Sequence, residues 1–310
     1  MKAKSQTTIA LDRILTLSAL AAASSAYYGL RILLLCAAAM ITAMLTEFIC
    51  LYVRKIPFQF QHLEAAAVGL LLTMLLPPTI SYSVLIIACI FAIIIGRQIF
   101  GGSENPVFPA AAVGYAFVQF TWKADALQMP TEPLLLPLRN IIETPLTDSA
   151  SALWNTGSKI SGDWLDWLLC VPRLPIGSAS LLILATVMLV MFIRRSASAS
   201  VTLGMLFTIL IFGIISSAPA QFLGAGAFTL LTNSALLSAV FLFGDPRLAP
   251  KGILGVCFGV ISGFLCFYLT RIMHIENAPV LLSIIMQPVA YAICDIKPML
   301  SEQQEKEAIS

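Results

Sequence analysis

Apolar runs close to the length of a bilayer crossing recur from one end of the chain to the other, and no fold in water accommodates that pattern. A helix needs roughly 20 apolar residues to cross hydrocarbon, and every backbone polar group inside it must be satisfied internally. Punctuation by Pro, Gly and charge divides the runs into about ten transmembrane helices: 14–29, 30–53, 62–79, 81–100, 106–122, 176–194, 199–216, 226–244, 253–272 and 278–296. Of the 310 residues, 59% are hydrophobic and 11% charged, against roughly 25% charged in an ordinary globular domain. The expected fold is an all-α polytopic membrane protein. The bilayer is its solvent, and the basic start of the chain leads into a retained first helix.

Charge placement sets the expected orientation. With the N-terminus inside, twelve Lys and Arg residues fall on the inner side and two, Arg31 and Arg271, in short outer loops. Both termini are then cytoplasmic, the chain is multi-pass in the cell (inner) membrane, and residues 123–175 project on the extracytoplasmic face. Domains follow as 1–122 (a first five-helix half), 123–175, 176–296 (a second five-helix half) and 297–310 (a cytoplasmic tail). A net charge of +2 with dispersed basic residues excludes nucleic acid as a partner. The seven cysteines form no Cys-x-x-Cys pair and read as small helix residues, not metal ligands.

The 123–175 segment contains or adjoins all four tryptophans, and Trp164-Leu165-Asp166-Trp167 suits an interfacial helix as well as one resting on the bundle. Halves with an odd number of spans can be repeats only in opposite membrane topology. The Pro-ended stretches Leu75-Leu76-Pro77-Pro78 and Phe243-Gly244-Asp245-Pro246 stand at matching places in the two halves. They read either as a trace of an inverted repeat or as ordinary helix stops.

A charged residue deep in a span is costly and therefore informative. Glu47 is one; it either faces a cation path or reaches the inner surface beside Arg54. Glu64 and Asp245 lie nearer span ends and are expected at the interface. Between spans 4 and 5, Gly96-Arg97-Gln98-Ile99-Phe100-Gly101-Gly102-Ser103-Glu104-Asn105-Pro106-Val107-Phe108-Pro109-Ala110 breaks the helix. It is either a tight turn or a set of exposed backbone N–H groups suited to an anion.

These residues carry a resemblance. The Gly-Arg-Gln-Ile-Phe-Gly-Gly run with Asn105-Pro106 and Pro109-Ala110 is similar to the "G-K-E-x-F-G-G…N-P-A" signature of the RnfD/NqrB family, membrane subunits of ion-pumping oxidoreductases. Leu75 to Pro78, Ser234 to Leu237, Phe243 to Pro246, Trp164 to Asp166 with Ile176-Gly177, and Asp295 resemble further family signatures in order.

The resemblance implies ten spans in two inverted five-helix repeats. It also implies electron transfer coupled to Na⁺ or H⁺ movement, with iron–sulfur and flavin subunits of an Rnf-type complex as partners. Glu47 then lies on the ion path, and Gly101, Gly102, Asn105, Pro106 and Asp245 are candidate cofactor-binding residues. FMN would be attached through a phosphoester to Thr144, which precedes Pro145-Leu146 as in the family; riboflavin is the noncovalent alternative. No residue of this chain is assigned a catalytic role. The six residues before Thr144 match none of the attachment motif, Phe108 replaces an Asn and Ser178 replaces a Glu. A transporter or channel on the same scaffold without a redox role is the alternative function, and a purely structural role is a third.

Overall fold

The computed structural model describes residues 6–102, 106–130, 146–157, 173–178, 180–216 and 228–309, with side chains between 7 and 294. The chain opens with α1 (Gln6–Tyr28) and α2 (Arg31–Val53), joined at a left-handed Gly29. A 3₁₀ turn, Phe60–Leu63, leads into α3 (Glu64–Leu75). Next comes α4 (Tyr82–Ile93), which widens at its end into a π turn, Ile94–Gln98, and then α5 (Ala110–Thr121).

After α5 come the short α6 (Lys123–Leu127), a two-residue antiparallel pairing of β1 (Met129–Pro130) with β2 (Leu146–Thr147), and α7 (Ala150–Asn155). The rest is helical: α8 (Leu181–Ile193), α9 (Ala199–Ile215), α10 (Phe228–Phe243), α11 (Ile253–Arg271) and α12 (Ala278–Ile309). The strand pair is the one departure from an all-α fold among the described residues. The tryptophans at 164 and 167, Thr144 and Asn105 lie outside those residues.

Three of these helices, covering Thr7–Tyr28, Arg31–Val53 and Ile253–Arg271, are long and apolar enough to cross a membrane; seven shorter apolar helices accompany them among the described residues. α1 starts eight residues before the expected span, and α12 runs on through the stretch expected to be a tail. Large apolar side chains such as Ile41, Phe48, Phe207, Ile253 and Ile285 point outward, as lipid-facing positions do. The core is built mostly from Ala, Leu and Ser, with Ala39, Ala88 and Ala112 fully buried. Small residues let helices approach closely where apolar burial alone gives no driving force.

Two helices are interrupted. The helical stretch Phe60–Leu75 rises about 24 Å, less than the roughly 30 Å of a hydrocarbon core. The chain continues through a buried turn in which Leu76 and Ile80 are inaccessible. Its carbonyls are satisfied by protein: Arg31 Nε donates to Pro78 O at 3.1 Å, Arg31 Nη2 to Ile80 O at 2.8 Å, and Ile176 N–H to Leu76 O at 3.2 Å. Irregular backbone at this depth survives only when other protein groups take over its hydrogen bonds.

The second interruption lies inside α10, where Asn233 and Ser234 take left-handed φ values of 55° and 53° before the helix resumes and widens into a π turn, Ala239–Phe243. The Pro-ended stretches follow the last helical residues, Leu75 and Phe243. The break within α10 falls thirteen positions before Pro246.

Candidate functional site

Sequence places one carboxylate on each of α2, α3 and the end of α10, and the fold brings all three together at one end of the bundle. Glu47 is fully buried, Glu64 is 8% exposed and Asp245 5%. Burying an anion without a partner is prohibitive, so each must meet a cation or a donor.

Arg13 from α1 pairs with Glu64 Oε1 at 3.2 Å and with Asp245 Oδ2 at 3.0 Å. Arg247 donates Nη1 to Glu64 Oε2 at 2.8 Å and Nη2 to Glu64 Oε1 at 2.5 Å, and holds Asp245 through Nε at 3.0 Å and Nη2 at 2.6 Å. Arg97, on the π turn after α4, lies 3.5 Å from Glu64 and 3.4 Å from Glu47. Three arginines thus balance three carboxylates among the described residues, drawn together from α1, α2, α3, the π turn after α4 and the end of α10.

Asp245 shows how the cluster is held. Burial alone would push its carboxyl up, but Arg13 and Arg247 outweigh that and hold it well below the usual carboxylate range. Burial alone would lower the Arg247 guanidinium, but the Asp245 and Glu64 carboxylates outweigh that and hold it above its ordinary value.

A cleft lined by charged and apolar side chains opens beside the cluster, with a cavity of about 60 Å³. Gly102, Pro106, Arg97, Asp245 and Arg247 line it, and so do Ala110 and Ala111 at the start of α5, which no side chain caps. Gly101 and Gly102 adopt φ of 105° and 76°, a region glycine enters without penalty. Those values let the chain leave the π turn and return to α5. Of the expected cofactor-binding residues, Gly102, Pro106 and Asp245 meet at this cleft, and Gly101 adjoins it.

A cavity of about 60 Å³ has room for a few waters. Phe108, which stands where the resembled family has Asn, packs its ring 4.6 Å from that of Phe100 at the cleft's edge.

Glu47 sits behind the cleft wall. Gln98 Nε2 donates to its Oε2 at 2.7 Å, and Oε1 makes no hydrogen bond among the described residues. Glu47 makes no direct pair with Arg54 among the described residues. Arg54 instead donates to Gln98 Oε1 at 2.8 Å, so it reaches Glu47 through the amide. Glu64 and Asp245, expected at the interface, are buried members of the same network. Arg13, Arg97, Gln98 and Arg247 were missed as site residues. The available signal was the placement of Arg97 and Gln98 inside the helix-breaking run.

The opposite end carries a second buried polar network, neutral in its interior. Asn155 and Asn233 exchange amide hydrogen bonds at 3.1 and 2.8 Å, Ser151 Oγ accepts from Asn233 N–H at 2.8 Å, and Asn277 donates to the buried Tyr115 hydroxyl at 2.5 Å. These bonds hold the left-handed break in α10. At the rim, Glu276 accepts from Ser149, and burial pushes its carboxyl up.

A bundle of apolar helices with two interrupted crossings and a balanced ionic cluster at one end defines a polytopic membrane protein with a charged cleft between helices. The model of the NQR2, RnfD, RnfE family matches residues 1–297, and the chain belongs to that family.

Among curated proteins, it is 34% identical over 125 residues to an ion-translocating oxidoreductase complex subunit of Haemophilus influenzae (strain PittEE); the match covers 40% of this chain and 33% of that protein. It is 33% identical over 115 residues to the corresponding protein of Yersinia enterocolitica (strain NCTC 13174 / 8081), covering 36% of this chain and 33% of that one. The matches thus span about a third of the relatives' length.

Proposed function

We propose that this chain is a membrane subunit of an ion-translocating oxidoreductase complex, and that the ionic cleft lies on its ion route. The observation that carries this reading is the fully buried Glu47, held by Gln98 and Arg97 at a π turn beside a cleft that Arg97, Glu64, Asp245 and Arg247 line. Ionisable groups at such depth face pathways more often than lipid, and π turns cluster at functional positions.

In this reading the long and shorter apolar helices make ten crossings. The basic residues put the ionic end and both termini on the cytoplasmic side of the inner membrane, with residues 123–175 outside. The two halves form an inverted repeat. A pair of corresponding contacts supports it: Arg31 at the start of α2 bonds carbonyls beyond α3, and Ser198 N–H before α9 bonds Gly244 O beyond α10 at 2.7 Å.

Oxidation of NADH or ferredoxin belongs to partner flavin and iron–sulfur subunits, and Na⁺ or H⁺ is the ion. Glu47 supplies its carboxylate, Gln98 orients it, and the Arg13–Glu64–Asp245–Arg247 contacts close the cleft between the halves. The FMN implied by the family would be held at Thr144, on the outer segment, and when bound would supply electron transfer.

The test is reconstitution of the whole complex in liposomes with ion uptake and donor oxidation measured together. Glu47→Gln should cut ion uptake at least tenfold while donor oxidation by the partner subunits continues; unchanged uptake refutes the ion route. A transporter without redox function is favoured by one observation, the mismatch before Thr144. Flavin fluorescence of the denatured protein separates the two: a fluorescent band lost in Thr144→Ala supports the redox reading, and a dark band refutes covalent FMN.

A further inference from the structure

Arg97 stands between the cleft and Glu47. It lines the cleft, whereas Glu47 does not, so an ion entering the cleft meets the guanidinium before it reaches the carboxylate. Its contacts with both acids are loose. Arg97 Nε lies 3.4 Å from Glu47 Oε1, which makes no hydrogen bond among the described residues, and Nη1 lies 3.5 Å from Glu64 Oε2. Glu64 is already held tightly by Arg247 at 2.5 and 2.8 Å, while Glu47 has one close partner among the described residues, Gln98.

The backbone that carries Arg97 is a π turn in which Ile99 N–H bonds Ile94 O at 3.1 Å and Gly102 N–H bonds Arg97 O at 3.0 Å, followed by two left-handed glycines. A π turn holds one residue more than the helix it interrupts, and reabsorbing that residue shifts the side chains beyond it.

We propose that Arg97 is a tethered stand-in for the transported cation: it neutralises Glu47 when the site is empty and moves toward Glu64 when an ion arrives from the cleft. Each carboxylate keeps a counter-charge at each stage. With the site empty, three arginines face three carboxylates. With the ion bound, the ion neutralises Glu47, Arg97 shares Glu64 with Arg13 and Arg247, and the cluster carries one net positive charge. Release returns the guanidinium to Glu47, so the buried carboxylate is never left bare. Arg97 is therefore a positioning residue that sets how tightly the ion is held. The proposal rests on Glu47 being part of the ion route.

The test is the ion dependence of turnover by the reconstituted complex, titrated with Na⁺ at fixed pH and with pH at fixed Na⁺. Removing the competitor in Arg97→Gln should lower the half-saturating ion concentration about tenfold and lower the maximal rate, because release slows. Arg97→Lys, which keeps the charge, should stay within about threefold of the parent in both. Half-saturation in Arg97→Gln that is unchanged or higher overturns the proposal.

If Arg97→Gln fails to assemble, Glu47→Gln/Arg97→Gln decides. Assembly of the double variant shows that Arg97 is needed only to balance Glu47 and supports the proposal; failure of both shows a separate structural role and overturns it. Failure of the underlying reading looks different, since ion dependence then survives in Glu47→Gln alone.

Discussion

Arg247 reaches Glu64 and Asp245 at once, and such a fork makes the cluster sensitive to single charges. Replacing it with Ala leaves two buried carboxylates to Arg13 and Arg97, which should destabilise the chain by about 3–5 kcal/mol, read as a lower unfolding midpoint in detergent. Asp245 gives the pH dependence. Its carboxyl is held below the ordinary value, which is about 3.9 in an unfolded chain, so its stabilisation is complete above that value and is lost as pH falls toward the folded one. Midpoints measured from pH 7 downward should fall below about pH 4, and Asp245→Asn should flatten that acid limb while lowering the neutral midpoint. An unaltered acid limb in the variant would show that other groups govern it.

At the scale of elements, the two π turns, Ile94–Gln98 and Ala239–Phe243, end at the ionic cluster and aim its side chains. The first is pressed against the start of α5: a Cβ on Gly96 would stand 2.7 Å from Ala110 Cα. Gly96→Ala must push the π turn away from α5, costing about 1–3 kcal/mol and loosening the hold of Arg97. Thermal unfolding and ion half-saturation of the variant should change together; a shift in neither would mean the contact is dispensable.

The helices themselves were legible because apolar run length is a direct imprint of the solvent. So was Glu47, because a lone carboxylate inside such a run has to be explained. The rest was not legible, for physical reasons. Arg97 and Arg13 count as inner-side charges in any linear reading, and only packing shows that they are buried beside acids 50 and 51 positions away. The break at Asn233–Ser234 lacks Gly and Pro, since the Asn155 side-chain amide and the Asn277 backbone N–H both donate to Asn233 Oδ1 and stabilise it. A π turn leaves no mark in composition. Thr144, read from the family resemblance, falls outside the described residues.

For the whole molecule, the account rests on hydrocarbon separating two chemically different ends: a charged cluster with its cleft at one, and an amide and hydroxyl network at the other. Lys55 beside the cluster and Gly157 after α7 are both exposed and serve as reporters of those ends. The direct measurement is labelling of single cysteines, Lys55→Cys and Gly157→Cys in a background lacking the native cysteines, with a membrane-impermeant thiol reagent. The predicted result is reaction at 157 in intact cells and at 55 only in inverted vesicles. Reaction of both positions from the same side, or of position 55 in intact cells, would contradict it.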